Sequence, residues 1–254
     1  MPETLIVLAH PEPRSFNAEW ARCSARFSEA LGHRVSWSDL YAMGFDPAEG
    51  PQHYHRLCNG DRFDPLVAQD HAAKSNALPT DVGGEIAKIR RADRVIFHFP
   101  LWWFGPPAML KGWFDRVLVH GALHSSTRRF DRGFCAGNRA LFCVTAGSSA
   151  AESGPSGREG DVTMLLWPLA YALRYLGFAV AQPVTVHGVH GFHRSPARRD
   201  LEARLSGVLE GHAQRIAAFD DLPLITFNAD GDFDTEGRLR DGAPSHSSFI
   251  RHGA

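Results

Sequence analysis

The sequence predicts an α/β fold in which a parallel β-sheet carries helices on both faces. Short continuous apolar runs alternate along the chain with segments of helical periodicity, the pattern of repeated βαβ units. The chain has 254 residues, 44% of them hydrophobic, so it can bury a sizeable core as one large domain. The formal net charge of -1, without any basic block interleaved with aromatic residues, argues against a nucleic-acid partner.

Five strands and five helices are expected to alternate. The run TLIVLAH at 4–10 predicts a strand buried on both faces, and the helical spacing after it predicts a helix that Ser15 or Asn17 caps and Gly32 ends. The later elements are expected in this order: strand 33–40, helix 85–93, strand 94–100, a helix from Pro106 whose apolar face carries Met109, Leu110, Trp113, Phe114 and Val117, strand 139–147, a helix from Asp161 to Leu176, strand 178–186 and helix 197–219. The stretch 44–80 shows no clear periodicity and carries four prolines, so an ordered excursion across the surface, with no regular element assigned, is expected there.

One domain and a tail are expected. Residues 1–221 form the domain, and residues 222–254 form a polar, Gly-rich tail docked on the domain or on a partner subunit. The most apolar stretch is 163–181, but Pro168 and Arg174 interrupt it. A buried helix followed by a buried strand is therefore expected there, rather than a membrane span.

Compartment and redox state are inferred from the N-terminus and the cysteines. The segment MPET has no basic region and the apolar run after it is too short for a signal peptide, so a cytoplasmic protein is expected. The cysteines lack CxxC spacing and a chain of this length needs no disulfide, so reduced thiols are expected. They are Cys23, Cys58, Cys135 and Cys143.

Three loops follow strand ends and are expected to converge, because ligands of an open parallel sheet bind beyond the carboxyl ends of its strands. These loops are HPEPRSFN, PLWWFG and TAGSSAAESGPSGREGD. The first has neither a Walker lysine nor a GxGxxG fingerprint. It places Ser15, Phe16 and Asn17 at a helix start, where the free N–H groups suit a phosphate and where Ser15 and Asn17 also suit plain helix capping.

The second loop carries three successive aromatic residues, Trp102, Trp103 and Phe104. A planar ligand would stack on them, and the alternative is that they cover the sheet or a subunit interface. The third loop is rich in Gly and Ser, which suits backbone donors facing an electron-rich ring edge; the alternative is a loose surface loop. The histidines spaced every third residue at 187–193 lack a ligand signature, so they are interpreted as rim residues rather than metal ligands: His187, His190 and His193.

These motifs carry a family resemblance. In order and spacing, HPEPRSFN, SDLYAMGFDP, ADRVIFHFPLWWFGPPAMLKGWFDRV, REGD and LLWPL closely resemble NAD(P)H:quinone oxidoreductases of the flavodoxin-like, DT-diaphorase type, over the chain to about residue 217. The resemblance implies a doubly wound, five-stranded flavodoxin-like sheet and a homodimer with active sites at the subunit interface. It implies FAD rather than FMN, with NADH or NADPH reducing flavin N5 and a quinone then taking the hydride in the same pocket.

The resemblance also implies roles for individual residues. Positions matching the family's cofactor contacts are His10, Ser15, Phe16, Asn17, Pro100, Leu101, Trp102, Trp103, Phe104, Asp115, Thr145 and Gly147. Positions implied in catalysis are Trp103, Phe104, Gly147, Ser153 and Glu159. Positions implied in the substrate pocket are Trp103, Phe104, His124 and Ser126, and no metal is implied.

The sequence departs from the family in the third loop and in the pocket. Ser153 and Glu159 stand where the best-known members have a Tyr and a His that hydrogen-bond the flavin, and His124 and Ser126 replace two pocket tyrosines. A carboxylate there would oppose an anionic reduced flavin unless protonated, and Arg158 beside it could supply positive charge. These departures motivate one alternative, a flavin- or nucleotide-sensing regulatory subunit with little turnover. A further alternative is an FMN-dependent nitro- or azoreductase.

Overall fold

The structure, a computed structural model, describes residues 1–54, 60 and 62–253. Its six strands are β1 (Glu3–Leu8), β2 (Arg34–Asp39), β3 (Arg94–Pro100), β4 (Arg139–Thr145), β5 (Ala179–Val180) and β6 (Val184–Val186). Its six α-helices are α1 (Phe16–Ala30), α2 (Pro65–Lys74), α3 (Thr80–Arg91), α4 (Ala108–Val117), α5 (Val162–Tyr175) and α6 (Ala197–Ala217). The predicted α/β architecture is therefore confirmed, with one strand divided and one helix added.

The strands form a parallel sheet in the order β2-β1-β3-β4-β5, with β6 also paired to β4. The strand predicted at 178–186 is divided because β5 pairs with Arg139 and Ala140, whereas β6 pairs further along β4, from Cys143 to Thr145. Pro183 lies between them, and a proline has no N–H to continue a ladder. Strand order reverses between β1 and β3, which makes their carboxyl ends the switch point where flavodoxin-like sheets bind ligands.

Helices cover both faces of the sheet. On one face α1 and α6 bury Trp20 and Ile216 against the sheet, and on the other α4 and α5 bury Trp113, Phe114 and Leu166. Trp113 and Phe114, predicted on the apolar face of α4, lie in the core of the single chain, since they are 1% and 5% exposed. Burial of such a side chain contributes about 2–3 kcal/mol.

Helix starts follow the predicted caps. The Ser15 hydroxyl accepts the Ala18 N–H at 3.2 Å, and the Asp161 carboxylate accepts the Thr163 N–H at 2.8 Å. Helix α5 contains Pro168 and leads into β5, as expected for 163–181. Within the described ranges no helix is long and apolar enough to cross a membrane.

The stretch 44–80, to which no regular element was assigned, contains a helix. Helix α2 lies within it, with Pro65 in its first turn and the Asp64 carboxylate accepting the Val67 N–H at 3.2 Å. Helix α3 begins at Thr80, five residues before the predicted start, and includes the Gly83-Gly84 pair. Two glycines cost about 1 kcal/mol each in a helix, and packing of its buried face offsets that cost.

The C-terminal tail packs against its own domain, and the described cysteines are reduced. Phe249 of the tail stacks on Trp167 of α5, with ring centroids 4.5 Å apart, so the tail contacts its own domain. The domain boundary between residues 221 and 222 stays a prediction.

Three cysteines are free and buried, namely Cys23, Cys135 and Cys143, while Cys58 lies outside the described residues.

Candidate active site

The loops after β1, β3 and β4 meet at the carboxyl edge of the sheet. The Leu101 N–H donates to the Thr145 carbonyl at 2.7 Å, which ties the loop after β3 to the end of β4. Asn17, buried in the first turn of α1, donates from Nδ2 to Oγ1 of the same threonine at 2.8 Å. The three loops therefore border one cleft at the switch point.

Trp103 and Phe104 form the tip of a tight turn at this cleft. Trp102 and Gly105 exchange backbone hydrogen bonds of 2.9 and 3.1 Å, leaving two residues between them. These residues have φ of 49° and 63°, the left-handed region that Asn and Gly favour and bulky residues avoid. Such strain, about 1–3 kcal/mol per residue, concentrates at functional sites. Because Trp103 is 95% and Phe104 52% exposed, the turn presents aromatic surface to a ligand.

The loop after β1 offers hydrogen-bond donors. His10 Nδ1 accepts a backbone N–H at 3.0 Å and burial lowers the pKa of His10, so the neutral ring keeps its proton on Nε2 as a donor. In the part of the chain that the structure describes, the N–H groups of Phe16 and Asn17 have no protein acceptor. Free N–H groups at a helix start favour an anion such as phosphate.

The loop after β4 is held by its own hydrogen bonds. The Ser148 and Ser153 hydroxyls are hydrogen-bonded to each other, and the Ser149 hydroxyl donates to the Glu152 carboxylate at 3.0 Å. Arg158 also donates to Glu152, at 2.9 Å, and its side chain is 82% exposed. Its charge is therefore directed to Glu152 at the surface, which argues against the compensating role expected for it.

A cavity of about 330 Å³ lies between the aromatic turn, the loop after β4 and the start of α5. It brings together all five residues predicted to act in catalysis, namely Trp103, Phe104, Gly147, Ser153 and Glu159. Sequence reasoning missed three other lining residues, Ala146, Ser148 and Leu165, for which nearness to a predicted residue was the only signal. Aromatic faces opposite a few polar groups are typical of sites for flat organic ligands.

His124 and Ser126, predicted for the substrate pocket, lie elsewhere in the single chain. His124 lines a cavity of about 310 Å³ with Tyr171 and Tyr175. Ser126 lines another of about 480 Å³ that the tail helps to form. Both residues follow α4 on a separate loop, so one chain does not bring them to the aromatic turn.

Asp115 and the histidines after β6 also lie outside the cavity. Asp115 is half exposed on α4 and accepts a hydrogen bond at 2.7 Å from a lysine one turn earlier. His190 and His193 stack with ring centroids 3.9 Å apart, on a loop whose Gly188 N–H donates to the Ser148 carbonyl at 2.9 Å. Among the described residues no group of three or more His, Cys, Asp or Glu side chains is placed to hold a metal ion.

Comparison with known proteins agrees with this geometry. The family model of the flavodoxin-like fold matches residues 2–209. NAD(P)H dehydrogenase (quinone) 1 of Rattus norvegicus is 36% identical over 223 residues, 87% of this chain and 78% of the relative. Ribosyldihydronicotinamide dehydrogenase (quinone) of Homo sapiens is 40% identical over 183 residues, 71% and 79% of the two chains. A solved Klebsiella pneumoniae protein assigned as a quinone reductase has a TM-score of 0.85 at 29% identity, covering 98% of each chain.

A parallel sheet in this order, with a ligand-sized cleft at its switch point, defines a flavodoxin-like protein, and the chain belongs to that family. Within the family it groups with the NAD(P)H:quinone oxidoreductases, as the sequence motifs predict.

The residues at the switch point fit a flavin. Its isoalloxazine is flat and has a polar pyrimidine edge, which matches aromatic surface at Trp103 and Phe104 facing the Gly147 loop. A Cβ added to Gly147 would meet no heavy atom within 4 Å, so the space beside its backbone is open. The buried Oδ1 of Asn17 has no protein partner, and a buried acceptor of this kind needs a ligand or water to satisfy it.

Proposed function

We propose that this protein is a flavin-dependent NAD(P)H:quinone oxidoreductase that moves two electrons from a nicotinamide donor to a quinone. The observation that carries the proposal is the strained aromatic turn facing the Gly147–Glu159 loop across one cavity. A bound flavin supplies the ring that accepts and then donates a hydride. Family membership supports the same reaction class.

The chain's own residues bind and orient the reactants. Trp103 and Phe104 provide a flat apolar surface on which a nicotinamide or quinone ring stacks and from which water is excluded. Gly147 and Ser153 line the opposite wall, where a backbone N–H and a hydroxyl would suit a polar ring edge. Because the nicotinamide ring and the quinone ring would occupy the same cavity, a ping-pong order is favoured, in which the oxidised donor leaves before the quinone enters.

FAD is the flavin we favour over FMN. The donors of the first loop, at His10, Phe16 and Asn17, suit a diphosphate. Denaturing the purified protein and identifying the released flavin by chromatography tests this choice.

A homodimer with shared active sites is the assembly we propose. Its support is that Trp103 is almost fully exposed while His124 and Ser126 line other cavities, so a second copy would be needed to complete the pocket. Sedimentation of the purified protein gives the oligomeric state. A monomer with full quinone turnover would exclude a shared site.

The reaction is tested anaerobically by stopped flow. The flavin-loaded protein is mixed with NADH or NADPH and then with a benzoquinone; rapid bleaching followed by rapid recovery of the flavin band is expected. Reduced nicotinamide riboside is the third donor to test, because relatives at 38–40% identity carry that donor in their names. A flavin that stays oxidised with every donor would favour the sensing alternative.

A further inference from the structure

A run of buried hydrogen bonds joins α1 to β3 and α6. Trp20 Nε1–H donates to His212 Nδ1 at 3.1 Å, and the Ser24 hydroxyl lies 2.6 Å from His212 Nε2 and 2.9 Å from His98 Nε2. All these side chains are fully buried, and burial lowers the pKa of both histidines, so the rings are neutral. Because His212 accepts at Nδ1, it donates from Nε2 to Ser24, whose own proton goes to His98. This buried chain consists of Trp20, Ser24, His98 and His212.

The buried chain holds α1 where apolar packing alone gives little interlocking. The other buried residues of the helix all have short side chains: Asn17, Ala18, Ala21, Cys23, Ala25 and Ser28. Within the described ranges, the one further side-chain hydrogen bond from α1 to a strand or to α6 joins Asn17 to Thr145. Hydrogen bonds are directional, and a buried network of them specifies one packing arrangement. The buried chain therefore fixes the rotation of α1 about its axis and its position along the sheet.

The buried chain also contacts the phosphate-binding end of the candidate site. The Trp20 ring packs on the Phe16 ring, with centroids 5.5 Å apart. Phe16 begins α1, and in the described part of the chain its N–H has no protein acceptor. The His98 carbonyl accepts the Ala9 N–H at 2.9 Å, directly before His10 in the loop after β1. Both backbone stretches proposed to bind the flavin phosphate are thus held by members of the buried chain.

Resting on the proposed function, we propose that the buried chain positions the flavin-binding groups of the first turn of α1 and of the loop after β1. Its members are positioning residues, since none of them lines the cavity at the switch point and each acts through Phe16, Asn17 or His10. Free N–H groups bind a phosphate well only when they point at it together. A small rotation of α1 would misalign them and weaken flavin binding.

Ser24→Ala and Ser28→Ala form a matched pair that tests this role. Both serines are buried on α1 one turn apart, at 0% and 1% exposure, but the Ser28 hydroxyl has no partner among the described residues. S24A removes two of the three hydrogen bonds, so the dissociation constant of FAD should rise about tenfold, as for the loss of one net hydrogen bond. S28A should bind FAD as wild type does. Flavin-fluorescence titration of the apoprotein measures both, at a temperature where circular dichroism shows each variant fully folded.

A second pair separates hydrogen bonding from side-chain volume. His212→Gln keeps an acceptor for Trp20 and a donor for Ser24, whereas His212→Leu keeps bulk and loses both. H212Q should bind FAD as wild type does, and H212L about tenfold more weakly. In the flavin-free protein, the Glu19 amide, which donates to the Ser15 carbonyl at 3.1 Å in the first turn, should exchange its hydrogen faster in H212L than in H212Q.

The outcomes separate this proposal from the function on which it rests. A wild type that binds neither FAD nor FMN refutes the proposed function and this proposal with it. A wild type that binds flavin, with S24A and H212L binding it equally well, overturns this proposal alone. Equal weakening in S24A and S28A also overturns it, because general loosening of α1 would account for both. If S24A does not fold, Ser24→Cys replaces it, since a thiol fills the space but hydrogen-bonds weakly, and unchanged FAD binding in S24C is then the refuting result.

Discussion

Lowering the pH from 7 to 5 is expected to destabilise the fold through a buried hydrogen-bonded chain. Trp20 Nε1–H donates to His212 Nδ1 at 3.1 Å, so neutral His212 carries its proton on Nε2, which donates to the Ser24 hydroxyl at 2.6 Å. The Ser24 hydroxyl then donates to His98 Nε2 at 2.9 Å. All four side chains are fully buried, and His98 Nδ1–H has no protein partner. An added proton on either histidine would take the place of an acceptor lone pair, so one of these hydrogen bonds would be lost or reversed.

The size of the effect follows from the pKa of His212. Burial lowers that pKa to about 3, with the Arg215 charge acting in the same direction. Burial also lowers the pKa of His98 well below 6.5, and His212 adds to this shift. The unfolded chain binds protons near pH 6.5, so this stabilisation is complete above pH 6.5 and is lost as the pH falls toward 3. At about 1.4 kcal/mol per pH unit, His212 alone accounts for about 2 kcal/mol between pH 7 and 5.

Urea unfolding at both pH values measures this loss. His212→Gln keeps an acceptor for Trp20 and a donor for Ser24 but does not titrate, and His71→Gln on the exposed face of α2 is the matched control. Between pH 7 and 5, H212Q should lose about 2 kcal/mol less of its unfolding free energy than wild type, and H71Q should behave as wild type. Equal losses in wild type and H212Q would refute the reasoning.

Four further substitutions test the turn and the packing. Trp103→Ala should raise KM for the quinone or the nicotinamide donor without lowering Tm of the flavin-free protein, because the side chain is 95% exposed. Steady-state kinetics and thermal melts of the flavin-free protein check this, and unchanged kinetics would exclude the role. Phe104→Gly should stabilise the fold by about 1 kcal/mol in urea unfolding, because φ of 63° suits glycine, while weakening flavin binding in a titration. Gly112→Ala should cost about 1–3 kcal/mol, because its Cβ would lie 2.1 Å from the Pro47 carbonyl, whereas Gly211→Ala, with open space, should gain up to about 1 kcal/mol.

Much of the fold is predictable because parallel strands buried on both faces read as continuous apolar runs. The strands β1, β3 and β4 follow this rule, and all lie within one or two residues of the predicted bounds. Helix α2 was not predicted because its ten residues bury only Ala68, Gln69 and Ala72, too weak a stripe to recognise. The division of the last strand depends on pairing with β4, which local sequence does not encode.

The sequence predicts which loops form the candidate site, but it does not predict the ion pairs within them. The topology places the loops after β1, β3 and β4 together, and the resemblance supplies roles for Gly147, Ser153 and Glu159. That Arg158 pairs with Glu152 and not with Glu159 depends on how the loop turns, and spacing alone does not determine this. The left-handed backbone at 103–104 was also beyond prediction, because propensity argues against aromatic residues there.

The aromatic turn departs from the usual backbone preference of its residues and from the usual burial of tryptophan, and binding of a flat ligand accounts for both departures. Folding alone would favour Asn-Gly at positions 103–104 and would bury a tryptophan rather than leave it 95% exposed. A ring system that covers about 100 Å² of this surface gains about 2.5 kcal/mol, comparable with the strain of one such residue. Ligand binding therefore offsets a cost that the unliganded fold bears alone, so a flavin should raise Tm of wild type more than that of Trp103→Ala.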